Sequence, residues 1–597
     1  MRAMVMSLLI FLCVTPFQFG AAQSGAKQNA EAANSAGRDG VIAGRVVNDM
    51  GQPVAGAPIL IIKAGVKITS GIQMARADDE GNFRATGLGS GSYQIITSVP
   101  GYVVVRTDSE RDYHRLGENV TINLIKGGVI AGRVTDEYGE PMVGVRVQAR
   151  KSRELEGGRK YSGDMTRMAG RTTDDRGFYR LYGLEPGVYV VGVSNDGTGL
   201  YGGGYPGREV TTWHPSSPRA TATEIPVRSG EEVAGVDIRH RGESGYTISG
   251  TVSGEAALAQ GPEGIRIMLM SGADRQLAGI TGTMGSKGFA MFGVPNGEYE
   301  IAAIRMNLTQ SEVATSAPRR VVVRGADVAG LELKMAPPAS ISGKVKIESS
   351  DVGGSGGARK SLCEDGSVAK DRAMVEEVIL SVASDDQSHA SLLSLFPEIR
   401  YFGGAIGGAP DEKGEFTLNW LAAGRFRIKA DLPDDGLYIR AITQPATGPA
   451  KKPVDASRSG ITLKAGARLS GVEVIIAEGA ASLNGRVVPA KAGSKFSSRL
   501  RVHLIPAEVS AADDILRYAE TTVGANGGFE FKHIAPGQYL LHARQVAEKE
   551  ANGGQARPEA WDPIERAKIR REASAAKNEI ELKACQRVKD HVLRWHP

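Results

Sequence analysis

At 597 residues the chain is too long for one hydrophobic core, because cores stop growing near ~250–300 residues and longer chains split into domains. Its formal net charge of +5 is small for this length, and no segment concentrates Lys and Arg with interleaved aromatics, which excludes nucleic acid as a partner. Composition is globular at 41% hydrophobic and 23% charged, but 77 Gly is nearly twice the ~7% average and calls for many turns.

The first segment predicts a secretory signal over residues 1–22. Arg2 supplies a positive start, Leu8 to Leu12 an apolar run, and Gly20 and Ala22 the small residues of a cleavage site. The mature chain would start at Gln23, with residues 23–39 as a linker. Cys13 follows Leu12, not the small residue that lipoprotein acylation wants. No later stretch has the ~18 continuous apolar residues of a membrane-spanning helix, so no transmembrane span is expected after cleavage. Cys363 and Cys585 would remain, enough for one disulfide or for two buried thiols, and too few for a structural zinc site.

A repeat then runs down the chain: Gly, apolar or aromatic at +2, +4 and +7, Gly at +10 and an aromatic at +12. Its copies are Gly81, Phe83, Ala85, Leu88, Gly91, Tyr93; then Gly177, Tyr179, Leu181, Leu184, Gly187, Tyr189; then Gly414, Phe416, Leu418, Leu421, Gly424, Phe426; and Gly527, Phe529, Phe531, Ile534, Gly537, Tyr539. Another copy keeps Phe289, Met291, Val294, Gly297 and Tyr299 but starts from Lys287. Asp-rich turns such as Asp78 to Gly81 reverse the chain, since Asp bonds its own backbone and Gly accepts positive φ. The +2 and +4 side chains of the next strand share one face and point into a core.

Upstream of each copy lies an opening strand of the form apolar, any, Gly, any, Val: Ile42 to Val46, Ile130 to Val134, Ile248 to Val252, Ile341 to Val345 and Leu483 to Val487. Gly inside a strand marks a bulge or a close backbone approach. A closing strand follows the aromatic at Gly230 to Ile238, Gly325 to Leu333 and Gly466 to Val474, with Val120 to Leu124 in the first copy and Ile580 and Leu582 assigned to that role in the fifth. The pattern predicts an all-β chain of five tandem antiparallel, Ig-like β-sandwich modules, at 40–126, 127–243, 244–336, 337–478 and 479–597. Insertions at 349–371 and 385–410 stretch the fourth module. Residues 562–577 predict a helix covering the fifth.

The segments IAGRVVNDMGQPVAGAPILI with DDEGNFRATGLGSGSYQIITSVPGY, and IAGRVTDEYGEPMVGVRVQAR with DDRGFYRLYGLEPGVYVVGV, resemble the carboxypeptidase regulatory-like domain family. That resemblance implies a transthyretin-like β-sandwich, also grouped with carbohydrate-binding-like folds. It implies an exported bacterial setting, often the cell envelope, with sugar or protein binding and no transferred activity.

No catalytic residues are predicted. His240 and Glu243 have a metallocarboxypeptidase spacing but no surrounding catalytic domain. The turns at Asp78, Asp174 and Asp411 lack the ligand number of a calcium loop, and Gly87 to Gly91 lies between strands with no helix to cradle phosphate. An isopeptide lock needs Lys in the opening strand, where Arg45, Arg133, Thr251 and Arg486 stand and only Lys344 qualifies. The best binding candidate is the Gly-rich stretch from Asn195 to His214, where Tyr201, Tyr205, Trp213 and His214 are proposed as a carbohydrate platform, against packing of those rings on their own sandwich. No metal and no cofactor are expected. The functional expectation is an exported, non-enzymatic scaffold or binding protein contacting carbohydrate or an envelope protein, in the periplasm, on the outer surface or outside the cell. The alternative is an accessory component of an exported metallocarboxypeptidase-type system.

Overall fold

The computed structural model describes residues 40–65, 71–107, 113–153, 159–162, 171–194, 208–254, 265–272, 277–284, 287–307, 312–348, 363, 373–384, 407–421, 423–446, 452–490, 500–524, 526–545 and 558–595. The expected signal and linker, and most of the two insertions of the fourth module, lie outside them. No helix among the described residues is long and apolar enough to cross a membrane.

The repeat unit folds as its periodicity demands. In Asn82–Ala85 exposed and buried positions alternate, and Phe83 and Ala85 enter a core with Ile42, Ile59 and Leu124. Tyr179 and Leu181, Phe289 and Met291, Phe416 and Leu418, and Phe529 and Phe531 take the same places in four further cores. The aromatic at +12 is also buried, and its phenol donates back four residues: Tyr93 to Gly89 at 2.6 Å, Tyr189 to Glu185 at 2.6 Å, Tyr299 to Pro295 at 2.9 Å and Tyr539 to Ala535 at 2.6 Å. Each bond contributes about 1 kcal/mol and ties the turn to the core. Phe426 fills the same slot in the fourth core by packing alone.

Turns are held by the same residues that predicted them. Asp78 Oδ1 accepts from the amides of Glu80 and Asn82 at 3.1 and 2.7 Å, and Gly81 adopts φ +79°. Asp174 and Asp411 repeat this on Arg176 and Phe178, and on Lys413 and Glu415.

Among the described residues all ladders are antiparallel except the one between opening and closing strands, so one sheet of each sandwich is mixed. Ile42–Asn48 runs parallel to Asn119–Lys126, Tyr246–Ser253 to Val328–Ala336, Ala339–Glu348 to Arg468–Glu478, and Ala481–Pro489 to Arg587–Trp595. Gly128–Thr135 pairs in parallel with the short strands Glu232–Val233 and Ile238–Arg239. This pairing explains the strand glycine. A Cβ on Gly44, Gly132, Gly250 or Gly343 would stand 2.1, 2.1, 2.1 or 1.8 Å from the carbonyl oxygen of Val120, Val236, Leu331 or Val472. Register slips by one residue beside Gly250, Gly343 and Gly485, where the closing strand bulges.

The closing strand of the fifth sandwich is a correction. Ile580 and Leu582 lie in Glu579–Leu582, which pairs antiparallel with Gly537–Gln545 in the other sheet, and Arg587–Trp595 closes the sandwich. Asp590 bulges there with φ +56° where other copies carry Gly330 or Gly471, so the glycine signal was absent. The expected helix forms as Pro563–Ala576, capped by the Asp562 carboxylate on the amides of Ile564 and Glu565. Ile569 and Ala573 pack on Ile505 and Leu540 of the sheet below.

Closing strands run almost directly into opening strands, and the sandwiches also meet across sequence. Arg115 of the first forms a 3.0 Å ion pair with the fully buried Glu377 side chain of the fourth, and Ser92 donates to the Glu377 carbonyl at 2.7 Å. Residues Arg159–Ser162 of the second extend a sheet of the first by pairing with Tyr102–Thr107. Cys363 and Cys585 form a disulfide joining the fourth sandwich to the fifth, a closed loop that restricts the unfolded chain.

A methyl group at Gly343 must push the parallel strands apart. Gly343→Ala is expected to destabilise the protein by about 1–3 kcal/mol, while Ser342→Ala next to it stays within ~0.5 kcal/mol, as read by urea denaturation. An unchanged midpoint for Gly343→Ala would contradict the close approach.

Candidate functional site

Period two puts Leu500, Val502 and Leu504 into the fifth core and turns Arg501, His503 and Ile505 outward. Register then sets His503 opposite Glu520 on one neighbour and His542 on the other, and Arg501 opposite Arg544. That face is roofed by the turn Glu559–Trp561 and by the helix after it. The outcome is a cluster of ionisable side chains around the buried His503.

Arg501 Nη1 lies 3.3 Å from Glu520 and 3.2 Å from Glu559, and Arg544 Nη1 lies 2.7 Å from Glu559 and 3.5 Å from Glu565. Glu520 also accepts from the Glu559 amide at 3.0 Å. His542 faces Glu572 at 3.4 Å. The fourth sandwich reaches in as well: Arg427 and Lys429 stand over the Trp561 ring, each at 5.3 Å from its centroid. His503 sits at the centre, 3% exposed, with its ring nitrogens 3.7 Å from Glu520 and 3.9 Å from Glu559, beyond hydrogen-bonding range.

Burial decides the protonation of this group. It pushes the His503 imidazole down to about 3, helped by the positive charges of Arg501 and Arg544 and by His542, so the ring is neutral near pH 7. Burial likewise raises the Glu520 carboxyl against the pull of Arg501, and lowers the Lys429 ammonium against the pull of Glu520. Every carboxylate is already engaged by Arg, His or an amide. The cluster has the character of a joint between helix, sheet and neighbouring sandwich.

The residues singled out from the sequence fall elsewhere. Trp213 is 4% exposed, its ring lies against Gly192, where a Cβ would come within 2.8 Å, and the Arg150 and Arg219 guanidiniums stack near it. The ring is packed on its own sandwich, the arrangement set against a binding platform from the sequence. His214 is half-buried and bonds through Nδ1 to the Asp237 carbonyl at 2.6 Å. Tyr201 and Tyr205 lie outside the described residues.

His240 is buried at the junction of the second and third sandwiches, 3.7 Å from Glu209, while Glu243 pairs with Arg241 and its carbonyl accepts from Val210. Lys344 is exposed. No described residues form a group of three or more His, Cys, Asp or Glu able to hold a metal ion. The charges of 562–577 were legible, but their partners were not: Arg501, Glu520 and Arg544 come from three other strands.

Because the folded state keeps His503 neutral and the unfolded chain protonates it near 6.5, its contribution is intact above that pH and lost as pH falls below it. The linkage amounts to about 2 kcal/mol between pH 7 and pH 5. His503→Gln should remove about that much of the acid destabilisation, measured by denaturant unfolding at the two pH values. An identical pH response in both proteins would refute the assignment.

Known proteins bear on the chain as follows. The model of the carboxypeptidase regulatory-like domain matches residues 41–123 and 129–203, and that of the BOS complex subunit NOMO1-like second β-sandwich domain matches 244–321. No curated protein matches. Among solved structures, the TIE protein of Bacillus anthracis is 12% identical, with 50% of this chain and 51% of that one covered, at a TM-score of 0.13, so this chain spans about half of its length. The minor pilin GBS52 of Streptococcus agalactiae is 14% identical over 34% of this chain and 97% of its own, at 0.19; the shaft pilin SpaA of Lactobacillus rhamnosus GG is 11% identical over 34% and 98%, at 0.17. The family matches agree with the sandwiches seen: two segments in tandem similar to the carboxypeptidase regulatory-like domain, followed by one similar to the NOMO1-like type.

Proposed function

We propose that the chain is an exported, non-enzymatic scaffold of the cell envelope, with five modules at 40–126, 127–243, 244–336, 337–478 and 479–597 locked into one rigid body. The observation that carries this reading is the buried Arg115–Glu377 pair, which joins the first module to the fourth. A buried pair is a weak source of net stability but a strict geometric requirement, because removing one partner strands the other charge at a cost of about 3–5 kcal/mol. Such a contact suits a protein whose task is to hold surfaces at fixed positions. The engaged carboxylates of the ionic cluster and the buried Trp213 favour the same reading over chemistry or sugar stacking at those places. No specific observation favours the accessory role in a metallocarboxypeptidase-type system.

Two measurements test the proposal. Small-angle scattering of the mature protein should give one compact particle, and Glu377→Gln should raise the radius of gyration by releasing the first module from the fourth. Equal radii would remove the lock. Expression in a Gram-negative host should yield periplasmic protein whose N-terminus is Gln23, whereas full-length protein retained in the cytoplasm would defeat the export reading.

A further inference from the structure

The closing strand of the fifth sandwich differs from the others in what lies beside it. Tyr102–Thr107, Glu312–Ser316 and Leu437–Gln444 pair antiparallel with the outer side of the closing strands in the first, third and fourth sandwiches. In the second, the turn at 214–216 takes that place: the Arg239 amide donates to the Pro215 carbonyl at 2.9 Å, and Ser216 Oγ donates to the Arg239 carbonyl at 2.8 Å. Arg587–Trp595 has the opening strand Ala481–Pro489 on one side and, among the described residues, no strand on the other.

Alternation along this strand decides what the open side presents. The Ala490 amide donates to the Trp595 carbonyl at 2.9 Å, so Trp595, Leu593 and His591 turn their backbone groups toward the opening strand, and Arg594 and Val592 turn theirs away from it. Side chains follow the same period. Leu593 and Trp595 are buried in the core, whereas Asp590, Val592 and Arg594 are exposed, Val592 at 57%.

A row of open N–H and C=O groups is a template for a further strand, and charged side chains on such an edge ordinarily discourage pairing. Here their signs select one register. When two copies of the strand are aligned antiparallel and centred on Val592, Arg594 of each stands opposite Asp590 of the other, and the two Val592 side chains meet. Centring on Arg594 or on Asp590 sets like charges directly opposite, which is destabilising.

We propose that Arg587–Trp595 pairs antiparallel with the same strand of a second copy of this chain, an isologous two-fold contact that joins two three-stranded sheets into one. The chain already adds a strand across bodies in this way, since Arg159–Ser162 of the second sandwich extends a sheet of the first. A strand from another protein could use the open backbone groups but gains nothing from the self-complementary order Asp590, Val592, Arg594. This goes beyond the scaffold reading, and mass in solution is independent of export and of the contact between the first and fourth modules.

Sedimentation equilibrium of the mature protein reads that mass. The wild type should show a reversible monomer–dimer equilibrium. Val592→Pro removes an outward N–H that the protein's own ladder does not use, and should be monomeric with an unchanged thermal transition. Arg594→Asp and Asp590→Lys each set like charges opposite and should each weaken dimerisation by about ten-fold. Lys577, at φ +54°, shows that this chain accepts lysine in the conformation that Asp590 holds at +56°. An equimolar mixture of these two variants restores both opposite-charge pairs and should dimerise as the wild type does. A wild type that stays monomeric up to ~0.1 mM would overturn the proposal and leave the edge to a strand from another protein. Dimers that survive Val592→Pro unchanged, or a mixture that associates no better than its components, would overturn it as well.

Discussion

The parallel ladder between opening and closing strands is the constraint from which the rest follows. Because the two strands run side by side in the same direction, a sandwich ends at the end of its sheet opposite to where it began, and the next can start at once. Asn119–Lys126 leads to Gly128–Thr135, and Val328–Ala336 to Ala339–Glu348, with almost no intervening chain. The cost of that ladder is steric. The closing strand's carbonyl approaches so closely that only a residue without Cβ fits at Gly44, Gly132, Gly250 and Gly343. A bulge beside that point absorbs the mismatch in register.

Short junctions restrict how neighbouring sandwiches can move, and contacts between them use buried polar groups to select one arrangement. The Arg115–Glu377 pair, the hydrogen bond from Ser92, and the disulfide from Cys363 to Cys585 all act between bodies that would each hold a core alone. Apolar contact tolerates sliding, whereas a buried charge that loses its partner does not. The ionic cluster around His503 follows this logic, tying helix, sheet and the fourth sandwich together through Arg501, Arg544 and Trp561. Perturbed protonation there reflects desolvation in a joint, and perturbed groups of this kind also arise in structural networks.

The sequence by itself determined the sandwich cores, the turns and the helix of the fifth module, because these depend on short-range rules: alternation along a strand, Asp and Gly in a turn, Asp before a helix. Phe83, Tyr179, Phe416 and Phe529 are inward for that reason alone. Tertiary structure decided what depends on partners distant in the chain. Trp213 packs against Gly192, Arg150 and Arg219, contacts that its place in a Gly-rich aromatic stretch does not announce. The fifth closing strand escaped notice because Asp590 adopts the conformation that glycine takes elsewhere. Arg115 and Glu377, or the parallel direction of the closing ladder, leave no local trace, since a charge pair or a strand direction is set by where the whole chain returns and not by the residues on either side.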